Sequence, residues 1–115
     1  MLSRFSAQKV RSNYLISSMR RSIQYSNFKV EQCSNDDVSY FAKIPTADEE
    51  HKYSLVWIHG LGDTGAGFLD VFTDTRMQIV PPSCKVILPT APTQRVTCNG
   101  GYRMTSWFDI YSLDR

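Results

Sequence analysis

The first thirty residues contain no acid. They carry six basic side chains (Arg4, Lys9, Arg11, Arg20, Arg21, Lys29) and no Asp or Glu. The formal net charge of +2 therefore hides a division, because residues 31–115 hold seven basic against eleven acidic side chains, a balance of −4. A mildly acidic remainder argues against nucleic acid as the partner of the folded part. No apolar run approaches the roughly 18 residues of a membrane span. Cys33, Cys84 and Cys98 show neither CxxC nor any paired spacing. That argues against a disulfide framework and fits a reducing compartment, with buried thiols. There are only two histidines, His51 and His59, and no metal-ligand spacing surrounds them, so no metal or other cofactor is expected.

What remains is globular in type, 42% hydrophobic and 21% charged over 115 residues, enough for one small domain. Residues 1–27 read as a basic extension rich in Ser and Arg, the composition of a mitochondrial transit peptide. Leu2, Phe5, Ile16, Met19 and Ile23 fall roughly on one side of a helical wheel, into which Lys9 and Arg20 intrude, a moderate form of the cationic amphipathic helix. The expected location is the cytoplasm or the mitochondrion, not the secretory path. Residues 28–115 read as the domain. Phe28 to Cys33 and Val38 to Ile44 alternate as two strands around the turn formers Ser34-Asn35-Asp36-Asp37, an antiparallel hairpin. Tyr53 to Ile58 reads as a buried central strand. Phe68, Leu69, Phe72, Arg76 and Ile79 space as one helix face, stopped by Pro81-Pro82. Lys85 to Leu88 reads as a second buried strand, ended by Pro89. Strand, loop, helix and strand from 53 to 88 make a βαβ unit with a parallel pair. Val96-Thr97-Cys98 and Tyr102-Arg103-Met104 flank the turn signal Asn99-Gly100-Gly101.

The chemistry concentrates where the strand at 53–58 runs into His59-Gly60-Leu61-Gly62-Asp63. Four glycines in eight residues (Gly60, Gly62, Gly65, Gly67) allow positive φ or close backbone approach. Loops at the carboxyl ends of parallel strands are where α/β folds place their sites. Gly60-Leu61-Gly62-Asp63-Thr64-Gly65 is formally G-x-G-x-x-G, the dinucleotide fingerprint. That fingerprint also needs an acid about 20 residues on to hold ribose hydroxyls. Position 80 is Val80, and no acid lies between Asp74 and Asp109. Asp63 would also set a negative charge against a pyrophosphate. The other use of such a loop is to aim a backbone N–H at an oxyanion, as the H-G-containing loop of a serine hydrolase does.

HGLGDTGAGF, LPTAP and VTCNGGYRMTSWFDI, in this order and spacing, resemble the N-terminal part of the acyl-protein thioesterase, lysophospholipase and carboxylesterase family of α/β-hydrolases. The resemblance covers about residues 53 to 111. It implies an α/β fold, here as hairpin strands plus one βαβ unit with an incomplete sheet. It implies hydrolysis of thioesters on acylated proteins, of lysophospholipids or of short esters by a Ser-Asp-His triad. By position, Leu61 matches the family residue whose backbone N–H lines the oxyanion hole, with Gly60 and Gly62 shaping the loop. Trp107 and Phe108, in the motif Ser106-Trp107-Phe108-Asp109, match the substrate side. Phe68 and Arg95 depart from the family's frequent Trp and Pro.

The triad is not found in this chain. None of the thirteen serines has glycine two before and two after, so the nucleophile elbow is missing. His59 leads into the glycine turn, where its expected role is to brace the turn by hydrogen bonding. The expectation is a fragment of a hydrolase, inactive and marginally folded by itself, with an apolar sheet edge left open at 53–58 or 85–88. The alternative is a non-catalytic product whose Trp107–Tyr111 surface binds lipid or a protein partner. Oligomeric state is not legible.

Overall fold

The computed structural model describes residues 19–25, 28–34, 39–46 and 50–114. Residues 1–18 of the proposed targeting segment and residues 35–37 of the expected turn Ser34–Asp37 lie outside the described residues. Among the described residues there are seven strands: β1 (Met19–Gln24), β2 (Phe28–Ser34), β3 (Ser39–Pro45), β4 (Tyr53–Val56), β5 (Cys84–Thr90), β6 (Thr93–Val96) and β7 (Tyr102–Thr105). The first five form one sheet in the order β1-β2-β3-β5-β4, and β6 and β7 form a separate hairpin. All pairings are antiparallel except β4 with β5, which are parallel.

β2 and β3 pair as the alternation of their sequences requires, Phe28 opposite Pro45 and Ser34 opposite Ser39. β5 alternates in the same way, with Cys84, Val86 and Leu88 buried and the residues between them half-buried. These three side chains and Phe72 are the core, and Phe41, Leu55, Phe68, Leu69 and Val80 pack around them. Because Cys84, Val86 and Leu88 are i, i+2 and i+4, they line one face of the sheet, the face covered by the short helix α1 (Leu69–Thr73).

Four expectations are corrected. The helix reaches only Thr73, not Ile79: Asp74 leaves helical geometry at φ −68, ψ 107. Its carboxylate accepts hydrogen bonds from the Arg76 backbone N–H at 2.9 Å and guanidinium at 2.7 and 3.0 Å. A short acidic side chain that bonds nearby backbone competes with the helix and stops it. The Arg76 side-chain bond holds the Asp74 carboxyl down to about 2. Second, Met19–Gln24, placed by the sequence on a helix, is a strand paired with β2 from Met19–Ser34 to Gln24–Lys29. The expected boundary after residue 27 thus falls between two paired strands. Third, Tyr53 to Ile58 is not a buried central strand. β4 is the sheet edge, and Tyr53, Val56 and Ile58 are more than half exposed. The apolar run is real, but among the described residues β4 pairs with β5 alone; the open edge foreseen from the sequence is this one. Fourth, β5 continues through Pro89 to Thr90, pairing Tyr40 with Pro89. β4 ends opposite Ile87, so β5 has a neighbour on one side only at Pro89, where a residue without N–H is tolerated.

Candidate active site

The chain leaves β4 through Trp57, whose N–H still reaches Ile87 O at 2.9 Å. Its indole packs against Phe68 and Phe72, with ring centroids 5.6 and 5.7 Å away. His59 follows, buried at 3% exposure. Its Nε2 accepts the Ala91 N–H at 3.0 Å, and its Nδ1 lies 2.6 Å from Gly60 O. An acceptor role at Nε2 puts the ring proton on Nδ1, which donates to Gly60 O. Both nitrogens are thereby engaged. His59 joins the start of the glycine turn to the segment after β5, the bracing role expected of it.

Gly60 to Asp63 is a tight turn closed by Asp63 N–H to Gly60 O at 3.2 Å. Gly62, its third residue, has φ +79, the positive φ that a type II turn demands at that place. The Gly62 N–H donates to Thr105 O at 2.8 Å. Beyond it the N–H groups turn inward one after another. Thr64 N–H meets Asp63 Oδ1 at 2.7 Å, Gly65 N–H meets Thr90 Oγ1 at 3.0 Å, and Gly67 N–H meets Thr64 O at 3.2 Å. Gly65 is the point of closest approach, and a Cβ there would lie 2.2 Å from Leu88 O. The close approach is to the protein's own strand β5. With Thr64, Gly65 and Gly67 engaged internally, the loop offers no N–H cradle for a pyrophosphate, and the dinucleotide alternative has no support. Among the described residues, no acceptor pairs with the N–H of Gly60 or Leu61.

The motif at 106–109 fastens this loop from the other side. The Trp107 indole N–H donates to His59 O at 2.9 Å, and its ring lies 5.1 Å from the imidazole. Thr105 Oγ1 donates to Asp63 O at 2.6 Å. Ser106 is buried, with its hydroxyl on Phe108 O and its N–H on Pro92 O. Asp109 accepts the Thr97 N–H at 2.8 Å and the Thr97 hydroxyl at 2.7 Å, which hold its carboxyl below the ordinary range. It thereby ties the chain after β7 to the turn between β6 and β7. That hairpin pairs Thr93–Val96 with Tyr102–Thr105, so Thr97 and Cys98 belong to its turn and not, as expected, to its strand. Phe108 is 68% exposed. Thr90, Ala91 and Thr105 hold the loop but were not singled out in the sequence. Their partners are 25, 32 and 42 residues away, and no local pattern marks such pairs.

A family model described as Phospholipase/Carboxylesterase matches residues 40–115. The chain belongs to that family. Among relatives, it is 43% identical over 75 residues to acyl-protein thioesterase 1 homolog 1 of Dictyostelium discoideum, covering 65% of this chain and 31% of that protein. To acyl-protein thioesterase 1 of Cryptococcus neoformans it is 45% identical over 67 residues, 58% of this chain and 27% of that one. The crystal structure of Zea mays acyl-protein thioesterase 2 superposes with a TM-score of 0.51 at 33% identity, covering 65% of this chain and 30% of that one. The chain thus spans less than a third of the length of these relatives, and its mixed sheet matches the N-terminal portion of an α/β-hydrolase.

Among the described residues, no serine–histidine pair lies at the glycine turn. The Ser106 hydroxyl and both His59 nitrogens are engaged within the fold. His51 Nε2 does lie 2.9 Å from Ser54 Oγ, in an exposed segment. That pair sits at the start of β4, roughly 15–20 Å of extended chain from the Gly60 turn. A serine–histidine pair without oxyanion donors nearby lacks the arrangement acyl transfer needs.

Proposed function

We propose that this chain supplies the oxyanion side of a carboxylic ester and thioester hydrolase whose nucleophile lies outside these 115 residues. The observation that carries the reading is the Leu61 N–H. It stands in a turn fixed by Gly62, His59 and Thr105, and it has no acceptor among the described residues, whereas the N–H groups of Gly62 to Gly65 after it are all engaged. A fixed donor of this kind offsets charge developing on a carbonyl oxygen and is worth about 3–4 kcal/mol, or 10²–10³ in kcat. Gly60 and Gly62 shape the turn. Phe108, exposed beside Trp107, belongs to the substrate side. The names of the relatives support acylated proteins as substrates, and the family description supports phospholipids and other carboxylic esters.

The test uses the turn's own geometry. Leu61 is the second residue of the turn, where proline fits, and proline has no N–H. In the gene's full reading frame, carrying a G-x-S-x-G serine, Leu61→Pro lowers kcat toward a chromogenic ester by about 100-fold or more while leaving the thermal midpoint near the parent value. Unchanged kcat, or a reading frame without such a serine, overturns the proposal. The 115-residue chain by itself shows no turnover; turnover abolished by a fluorophosphonate would place the nucleophile within it. Phe108, Tyr111 and Leu113, each more than two-thirds exposed, favour a second reading, a non-catalytic product that binds lipid or a protein through them. A stop codon directly after Arg115 in the transcript would favour that reading.

A further inference from the structure

The peptide group that carries the Leu61 N–H has its carbonyl at Gly60. Gly60 O accepts the His59 Nδ1–H at 2.6 Å and the Asp63 N–H at 3.2 Å. Two donors occupy both lone pairs of a carbonyl oxygen. A trans peptide sets its N–H and C=O on opposite sides, and this one is trans. Holding Gly60 O therefore turns the Leu61 N–H the other way, to a side where it has no acceptor among the described residues. A donor on the carbonyl also draws charge across the amide and makes its N–H a stronger donor.

The surroundings of His59 fix it for this task. Its Nε2 accepts the Ala91 N–H at 3.0 Å, which leaves the ring proton on Nδ1,. The residue is buried, and its ring lies against Trp107. One line of bonds thus runs from the Ala91 N–H through the imidazole and Gly60 O to the Leu61 N–H. We infer that His59 is a positioning residue for ester and thioester hydrolysis: through Gly60 O it aims the Leu61 N–H at the oxyanion and strengthens that donor. The inference rests on the oxyanion reading of Leu61 and adds a side chain to it. The bond that matters to the chemistry is the short one to Gly60 O, and the bond to Ala91 sets the tautomer.

Two substitutions separate the two ring nitrogens. An Asn side-chain N–H reaches the place of the His Nδ1–H, and a Gln side-chain oxygen reaches the place of Nε2. His59→Asn thus keeps a donor for Gly60 O and gives up Ala91, whereas His59→Gln keeps Ala91 and gives up Gly60 O. In the 115-residue chain, the amide nitrogen resonance of Leu61 reports hydrogen bonding at the carbonyl before it. It moves upfield in His59→Gln and stays near the parent value in His59→Asn. In the full reading frame, His59→Gln lowers kcat toward a chromogenic ester about two- to eightfold with KM unchanged, which is about 10–30%, on a logarithmic scale, of the 10²–10³ that one donor supplies. His59→Asn keeps kcat within about twofold of the parent. A residue that only braces the loop gives the reverse order, because Gln preserves the tie to Ala91. A measurement on the unsubstituted chain guards against a folding defect: the imidazole nitrogen spectrum shows a proton on Nδ1 and none on Nε2. A proton on Nε2, an unmoved Leu61 nitrogen in His59→Gln, or the reverse order of kcat each overturns the inference. The two readings fail separately. Unchanged kcat in Leu61→Pro removes the oxyanion reading and this inference with it, whereas an unmoved Leu61 nitrogen beside lost kcat in Leu61→Pro removes the role of His59 alone.

Discussion

The glycine loop has two halves that share a composition and differ in everything else. In residues 60–62 a Cβ added at Gly60 or Gly62 would meet nothing within 4 Å, and the Gly60 and Leu61 N–H groups have no acceptor among the described residues. In residues 63–67 the N–H groups of Thr64, Gly65 and Gly67 are all engaged, and Gly65 is pressed against the backbone of β5. The rear half is packing, and the front half is presentation. Glycine density therefore does not mark the site. The proposed oxyanion site lies where backbone donors have no acceptor among the described residues, inside a turn held from several sides.

Substitutions can break or sharpen this contrast. Gly65→Ala has the largest expected effect. Its Cβ meets a backbone carbonyl that cannot swing aside, and overpacking of this kind costs about 3 kcal/mol or more, read as a lower urea midpoint. Gly62→Ala follows, at about 1–2 kcal/mol, because alanine is strained at φ +79 although the space is open,. Thr105→Val comes next. It removes the hydroxyl that bonds Asp63 O, costs about 1 kcal/mol, and loosens the turn from the hairpin side. Asp109→Asn has a smaller effect that depends on pH. The folded Asp109 carboxyl is held below its ordinary value by Thr97. Its contribution is therefore present above about pH 4 and is lost as pH falls through the lowered value. The gap between parent and Asp109→Asn midpoints narrows below about pH 4, and a gap independent of pH would contradict the assignment. Gly60→Ala is expected to change stability by less than about 0.5 kcal/mol. If it were as damaging as Gly65→Ala, the two halves would not differ in kind.

The same contrast separates the two ends of the motif 106–109. Trp107 reaches across 48 residues to His59 O, and Asp109 reaches back 12 to Thr97. The sequence marked the tetrapeptide through resemblance and placed Trp107 and Phe108 near substrate. The Trp107 indole N–H donates to His59 O, and Phe108 is the more exposed of the two rings. Lys43 teaches the reverse lesson. Its alternation with Phe41 put it on the apolar face, but a lysine in a strand pattern reads as solvent-facing, and only the register against Val30 and Val86 shows it buried.

Local chemistry determined the β2–β3 hairpin, the parallel pair of β4 with β5, the turn at Gly60–Asp63 and the lack of a nucleophile elbow. Each follows from alternation, turn formers, glycine or a short motif, which act within a few residues. Local chemistry also overran itself, carrying a helix past Asp74 and burying β4. A carboxylate bonding its own backbone stopped the helix, and a strand's place in a sheet depends on neighbours distant in sequence. Only the tertiary structure decided which glycines pack and which present, that His59 is engaged at both nitrogens, and that the Leu61 N–H is left open. Gly65 meets Thr90, 25 residues away, and His59 meets Ala91, 32 residues away, and such partners are chosen by the folded sheet and not by the stretch that contains the loop.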